Sequence, residues 1–212
     1  MGKLRLLAVA CIAAGAALVL YTGYRIWDPG ARAAQHAMVA RLHTEWNKPA
    51  AAPSAKPAPV TVRTGEPFAT IRIPKFGATW EFAIVEGTSM RQLASGPGHV
   101  TTTALPGVLG NFAVAAHDIT AGNPFLHLST LRHGDAVIVQ TAATTYHYSV
   151  LSENVVRYTD TAVLDPVPDH PNERPATEYI TLITCTPVTL DFTPWRVVVT
   201  GRLTRTSLGA KR

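Results

Sequence analysis

The run Tyr179-Ile180-Thr181-Leu182-Ile183-Thr184-Cys185 is apolar and β-branched nearly throughout and closes on a thiol. Its composition and length read as a buried β-strand. The only other cysteine, Cys11, lies in an apolar N-terminal segment, so Cys185 has no disulfide partner within its own folded domain. A free thiol of this kind is either a small apolar filler or a nucleophile. Its neighbours and its compartment must choose between the two.

Working outward, short β segments punctuated by Gly and Pro fill the stretch from Pro67 to Leu203. Strands are expected at Ala69–Ile73, Trp80–Val85, Asn111–Ala116, Asp135–Thr141, Thr145–Val156, Tyr179–Cys185 and Arg196–Leu203. Brief helical turns are expected at Ser89–Ala94 and Pro124–Leu131. About eight short strands with little helix predict an all-β fold closed into a barrel. The connection Arg157 to Thr177, with its four prolines, is too long for a tight turn and is a candidate functional loop.

The chain has 212 residues, 47% of them hydrophobic, which suits one folded domain with accessory segments. Leu6–Tyr24 is an uncharged apolar run of about 19 residues, long enough to cross a bilayer as a helix. Lys3 and Arg5 precede it, which places the N-terminus inside and the remainder outside. The stretch is longer than the apolar region of a cleaved signal peptide and has no small-residue cleavage site before Tyr24, so an uncleaved anchor is expected. The expected division is residues 1–25 as cytoplasmic tip and anchor, 26–66 as juxtamembrane helix and Pro/Ala-rich spacer, 67–206 as the barrel domain and 207–212 as a basic tail. The net charge of +5 suits an anionic membrane or wall surface, or a solvated basic tail. No basic run interleaves with aromatics, which argues against nucleic acid.

Outside the cell an idle thiol makes little sense, and a nucleophile needs an acid–base partner and an oxyanion donor. Of the eight histidines, His117 ends an apolar strand just as Cys185 ends its own. Arg196 opens the strand that follows Cys185, so a hairpin returns its guanidinium toward the thiol. His99, His127, His133, His147 and His170 have no comparable partners in this reading. With no Cys pair and no common His spacing, no metal and no cofactor are expected.

Thr181-Leu182-Ile183-Thr184-Cys185 resembles the TLxTC motif of sortases, the cysteine transpeptidases that join surface proteins to the cell wall. The resemblance spans roughly Thr70 to Leu203. It includes Gly96-Pro97-Gly98-His99, Thr103-Ala104-Leu105-Pro106-Gly107, Gly110-Asn111, Asn123-Pro124-Phe125, Leu131, Gly134-Asp135 and Cys185-Thr186-Pro187. It is most similar to the class E sortases of actinobacteria.

The resemblance implies a sortase-like closed barrel with His117, Cys185 and Arg196 as catalytic residues. It implies Pro124, Phe125, Ile183 and Thr184 as substrate contacts. It further implies cleavage of a Leu-Pro/Ala-x-Thr-Gly sorting signal between Thr and Gly, and transfer of the acyl group to a peptidoglycan precursor or cross-bridge amine. Partners are then sorting-signal-bearing surface proteins and the membrane. Three positions depart from the family pattern: Ala116 stands for Gly, Asp118 for Arg, and Ala121 for a Tyr linked to reading Ala in the signal. Two alternatives remain: a pilin-polymerising sortase, which usually has a lid and a second C-terminal helix, and a catalytically impaired binding or scaffold module.

Overall fold

The computed structural model describes residues 2–27, 29–48, 62–186 and 193–208. Eight strands close into one barrel: β1 (Pro67–Arg72), β2 (Glu81–Glu86), β3 (Gly98–His99), β4 (Gly110–Ala115), β5 (Ala136–Gln140), β6 (Thr144–Arg157), β7 (Glu178–Cys185) and β8 (Trp195–Leu208). Around the barrel the order is β1-β2-β3-β4-β7-β8-β6-β5.

Alternation along each strand decides what points where. In β7, Ile180 and Leu182 enter the core, as do Phe112 and Val114 of β4 and Val197 and Val199 of β8. The intervening residues, Ala113 and Ala115, Thr181 and Ile183, and Val198 and Thr200, therefore share the outer face. Phe125, Leu128, Leu131 and Tyr148 fill the interior without contact with solvent.

Neighbours β4 and β7 run parallel, Gly110 beside Glu178 through Ala115 beside Ile183. A parallel pair needs a long crossover, here β5, β6 and the connection after Arg157. β7 and β8 run antiparallel, from Tyr179 opposite Arg202 to Cys185 opposite Arg196.

β8 runs five residues beyond the expected end at Leu203, because its second half pairs with Thr144 to His147 of β6. The two-residue β3 was not foreseen; it pairs with β2 on one side and β4 on the other. The expected turn at Pro124–Leu131 is a 3-10 helix over Leu128–Thr130. The turn expected at Ser89–Ala94 is α3 (Met90–Ser95), with Ser89 at its N-cap.

Two helices precede the barrel, α1 (Gly2–Trp27) and α2 (Pro29–Trp46). α2 buries Val39 and Leu42 against Ala83 of β2. Its Gln35 is also buried, and the side-chain oxygen accepts the Ala83 N–H at 2.8 Å. Most of the Pro/Ala-rich spacer lies outside the described residues.

In α1, Leu7, Val9, Ile12, Leu18, Val19, Leu20 and Tyr21 are all exposed. Among the described residues no helix is long and apolar enough to cross a membrane. The described side chains of α1 run unbroken only from Leu7 to Gly23, and both ends of the expected span, Leu6 and Tyr24, fall outside them.

Candidate active site

Cys185 is the last residue of β7, and its cross-strand partner is Arg196, near the start of β8. Directly opposed residues of an antiparallel pair project from the same face about 5 Å apart at Cβ. The two side chains therefore leave the same, outer face of the barrel, near enough for the Arg196 charge to act on the thiol.

Continuing the β4–β7 register two residues past Ala115 and Ile183 brings His117 alongside Cys185. Three hydrogen bonds hold this extension. The Ala116 N–H donates to the Ile183 carbonyl at 3.0 Å, the Thr184 hydroxyl to the Ala116 carbonyl at 2.8 Å, and the Phe125 N–H to the His117 carbonyl at 3.0 Å. The peptides on either side of the histidine are thus tied to the strand that carries the cysteine and to the core through Phe125.

Arg196 donates through Nη1 to the carbonyls of Thr193 and Trp195, each at 2.9 Å. Its guanidinium carbon lies 5.8 Å from the centroid of the Tyr158 ring. One rung out, the Arg157 guanidinium lies 5.0 Å from the Trp195 ring. These cation–π contacts brace the end of the β6–β8 ladder.

Electrostatics set the resting protonation. Burial pushes the Cys185 thiol up from its ordinary value; the Arg196 guanidinium opposes the rise and the Asp118 carboxylate adds to it. Burial pulls His117 down, and Asp118 opposes that fall. The resting pair at neutral pH is thus thiol and neutral imidazole, with thiolate–imidazolium a minor form.

Asp118 is itself buried and accepts the Ile119 N–H at 2.8 Å. Among the described residues it is the acidic side chain whose charge reaches both His117 and Cys185. The segment that follows is strained: Ala121, Gly122 and Asn123 have φ of 53°, 80° and 57°. Left-handed backbone is rare for a residue with a Cβ other than Asn or Asp. α2 reaches this segment, since a Cβ on Gly122 would come within 3.1 Å of Arg32 Cγ.

The four expected substrate contacts separate. Ile183 is on the outer face, two residues before Cys185. Phe125 is wholly buried in the core, Pro124 is buried, and the Thr184 hydroxyl is engaged by the Ala116 carbonyl. Phe125 and Thr184 hold the walls of the site from behind. Of the three departures, Ala116 packs in the core, Asp118 acts on the reactive pair and Ala121 carries the strain.

Sequence reasoning placed Asn111 in the resemblance without a role and did not single out Tyr158. The Asn111 amide donates to the Val163 carbonyl at 3.0 Å and accepts from the Thr181 hydroxyl at 2.8 Å. This clamps the long connection after β6 over the outer face of β4 and β7, where Val163 and Val167 are buried. A polar residue inside an apolar strand beside a TLxTC-like run was the available signal. Among the described residues no three His, Cys, Asp or Glu side chains converge as a metal would need.

The family model described as Sortase domain matches residues 71–204. Sortase SrtE1 of Streptomyces coelicolor is 32% identical over 203 residues, covering 91% of this chain but 54% of its own length. The chain therefore spans about half of that relative. The structure of sortase E from Streptomyces avermitilis shares 37% identity and superposes with a TM-score of 0.62, over 69% of this chain and 93% of that one. The crystal structure of sortase E1 from Streptomyces coelicolor with a tripeptide in the active site gives 31% identity and a TM-score of 0.61, over 70% of this chain and 94% of that one.

Proposed function

The chain belongs to the sortase family, and from that premise we propose that it is a membrane-anchored cysteine transpeptidase. It cleaves a C-terminal sorting signal of the Leu-Pro/Ala-x-Thr-Gly type between Thr and Gly. It then passes the acyl group to a cell-wall amine. The observation that carries this reading is the convergence of Cys185 and Arg196, as opposed residues, with His117 on the neighbouring strand's extension.

Each residue has a part that its placement supports. The Cys185 thiolate attacks the Thr carbonyl carbon, forming the C–S bond and placing negative charge on the carbonyl oxygen. The Arg196 guanidinium, charged at any working pH, steadies that oxygen. His117 as imidazolium donates its proton to the Gly nitrogen as the C–N bond breaks, leaving a thioester and a neutral imidazole. An incoming amine attacks the thioester, its proton goes to His117, and the thiolate leaves.

On the outer face, Ala113, Thr181 and Val198 are buried, while Ala115 and Ile183, nearer the thiol, are partly exposed. A peptide would therefore approach along the Ala115 and Ile183 end of β4 and β7.

The anchor rests on the apolar run Leu6–Tyr24 inside α1, a helix of 26 residues. Such a helix is about 39 Å long, against a hydrocarbon core of about 30 Å. Its exposed apolar side chains have no protein partner among the described residues, and a lipid environment would cover them. The barrel would then sit on the outer surface.

The test is product analysis with the full chain in detergent, one amine acceptor and two peptides, Leu-Pro-x-Thr-Gly and Leu-Ala-x-Thr-Gly. The reading predicts release of the Gly fragment and a new amide after Thr from at least one peptide. Intact peptides, or cleavage at another bond, would overturn it.

A further inference from the structure

A second concave site lies on the barrel away from the reactive thiol. Register alone assembles it. Across β1, β5, β6 and β8, one row of opposed residues is Arg72, Ile138, His147 and Arg205, and the next is Thr70, Gln140, Thr145 and Ser207. Members two apart on a strand share a face, so a cationic row lies beside a row of hydroxyls and an amide. These residues, with Leu208, line a cavity of about 300 Å³. Along β8, Arg205 is roughly 30 Å from Arg196 at strand rise.

Two observations, the charge of the lining and an unpartnered hydroxyl, suit the cavity to an anion. Among the described residues no acidic side chain lines the cavity, and neither Arg72 nor Arg205 forms an ion pair with one. The Arg205 guanidinium donates through Nη2 to His147 Nδ1 at 3.4 Å, which joins the two side chains at the cavity. The Thr70 hydroxyl is buried at the cavity with no hydrogen-bond partner, although Thr70 is only 1% exposed. Buried hydroxyls are normally satisfied.

We propose that this cavity binds a phosphate group, either of a soluble phosphate ester or of a lipid headgroup. Two guanidiniums and an imidazole supply charge, and they match the fork geometry that phosphate accepts. The Thr70, Thr145 and Ser207 hydroxyls and the Gln140 amide add neutral donors. So many donors exceed what the two oxygens of a carboxylate take up, and they suit a tetrahedral oxyanion. Burial lowers His147 first, and the charges of Arg205 and Arg72 lower it further. Arg72 faces it from β1 and Arg205 from β8, while β5 presents only Ile138 and Gln140. A bound anion reverses that effect, so binding takes up a proton at His147.

The experiment follows the His147 ring resonances of the full chain in a maltoside detergent, which carries no phosphate, during titration with inorganic phosphate. Saturable shifts with a rise in the His147 titration midpoint are expected. Arg205→Gln and Arg72→Gln should each raise the dissociation constant about tenfold or more. Thr70→Val, nearly the same shape, weakens binding without lowering the melting temperature, so the proposal can be tested even if an arginine variant misfolds. Binding of glycerophosphoglycerol, a diester, identifies a headgroup; binding of glycerol 1-phosphate alone identifies a soluble ester. Absence of saturable binding, equal binding of acetate, or an unchanged constant in folded Arg205→Gln would overturn the proposal.

Discussion

Cys185 and Arg196 are the last opposed pair of the β7–β8 ladder, and the Arg196 charge opposes the rise that burial imposes on the thiol. Arg196→Lys keeps the charge and loses the planar fork. On this geometry kcat/KM should fall by about a hundredfold or more, the cost of removing an oxyanion donor. The Cys185 titration, followed by rates of alkylation, should move little because a cation remains. A near-native rate in this variant would remove Arg196 from the mechanism.

Asp118 gives a prediction with a definite sign. Its carboxylate raises both His117 and Cys185. The thiolate–imidazolium form is populated between the two titrations, with the acid limb of the pH–rate profile set by His117 and the alkaline limb by Cys185. Asp118→Asn should therefore shift both limbs to lower pH while changing the plateau less. A shift of either limb to higher pH would contradict the assigned influence of Asp118.

The strain at Ala121 is measurable as stability. With φ of 53°, Ala121→Gly relieves a left-handed alanine at the cost of a more flexible unfolded chain. The balance predicts stabilisation of about 0.5–1 kcal/mol in urea unfolding. Turnover should fall if that conformation holds His117 in place. Destabilisation would mean that the alanine methyl's packing outweighs the backbone term.

His99 Nδ1 lies within hydrogen-bond distance of the Glu86 carboxylate, 2.7 Å, in a buried contact across β2 and β3. The other ring nitrogen of His99 lies 3.1 Å from the Ala104 carbonyl, and Phe68 and Phe112 flank the ring. His99→Phe leaves the Glu86 carboxylate buried without its partner and should cost about 3 kcal/mol or more. Paired with Glu86→Gln, the loss should be smaller than the sum of the two single changes. Additive losses would show that the pair does not act as a unit.

Much of the barrel was legible because alternation is a local signal. The apolar–polar pattern of β4, β7 and β8 located Cys185, His117 and Arg196 at strand ends before any pairing was known. What escaped depends on register or on burial of single polar groups. Gly98-His99 is too short to show a period, and β8 runs past Leu203 only because β6 offers it a partner. α2 docks through Val39, Leu42 and the buried amide of Gln35, too few positions to mark a strong apolar stripe in the sequence. Burial of Asp118 and the two rows that assemble the basic cavity arise from strands far apart in sequence. Phe125 has its ring in the core while its backbone N–H donates to the His117 carbonyl, a pairing that only the folded chain displays.

The central claim is that Cys185 carries the acyl group. The direct measurement is acid quenching of the full chain with a sorting-signal peptide in the absence of amine, followed by intact-mass and peptide mapping. The account predicts a thioester adduct, ending at Thr, on the peptide containing Cys185 and absent from Cys185→Ala, which also loses turnover. An adduct on another residue, or full transpeptidation by Cys185→Ala, would contradict it.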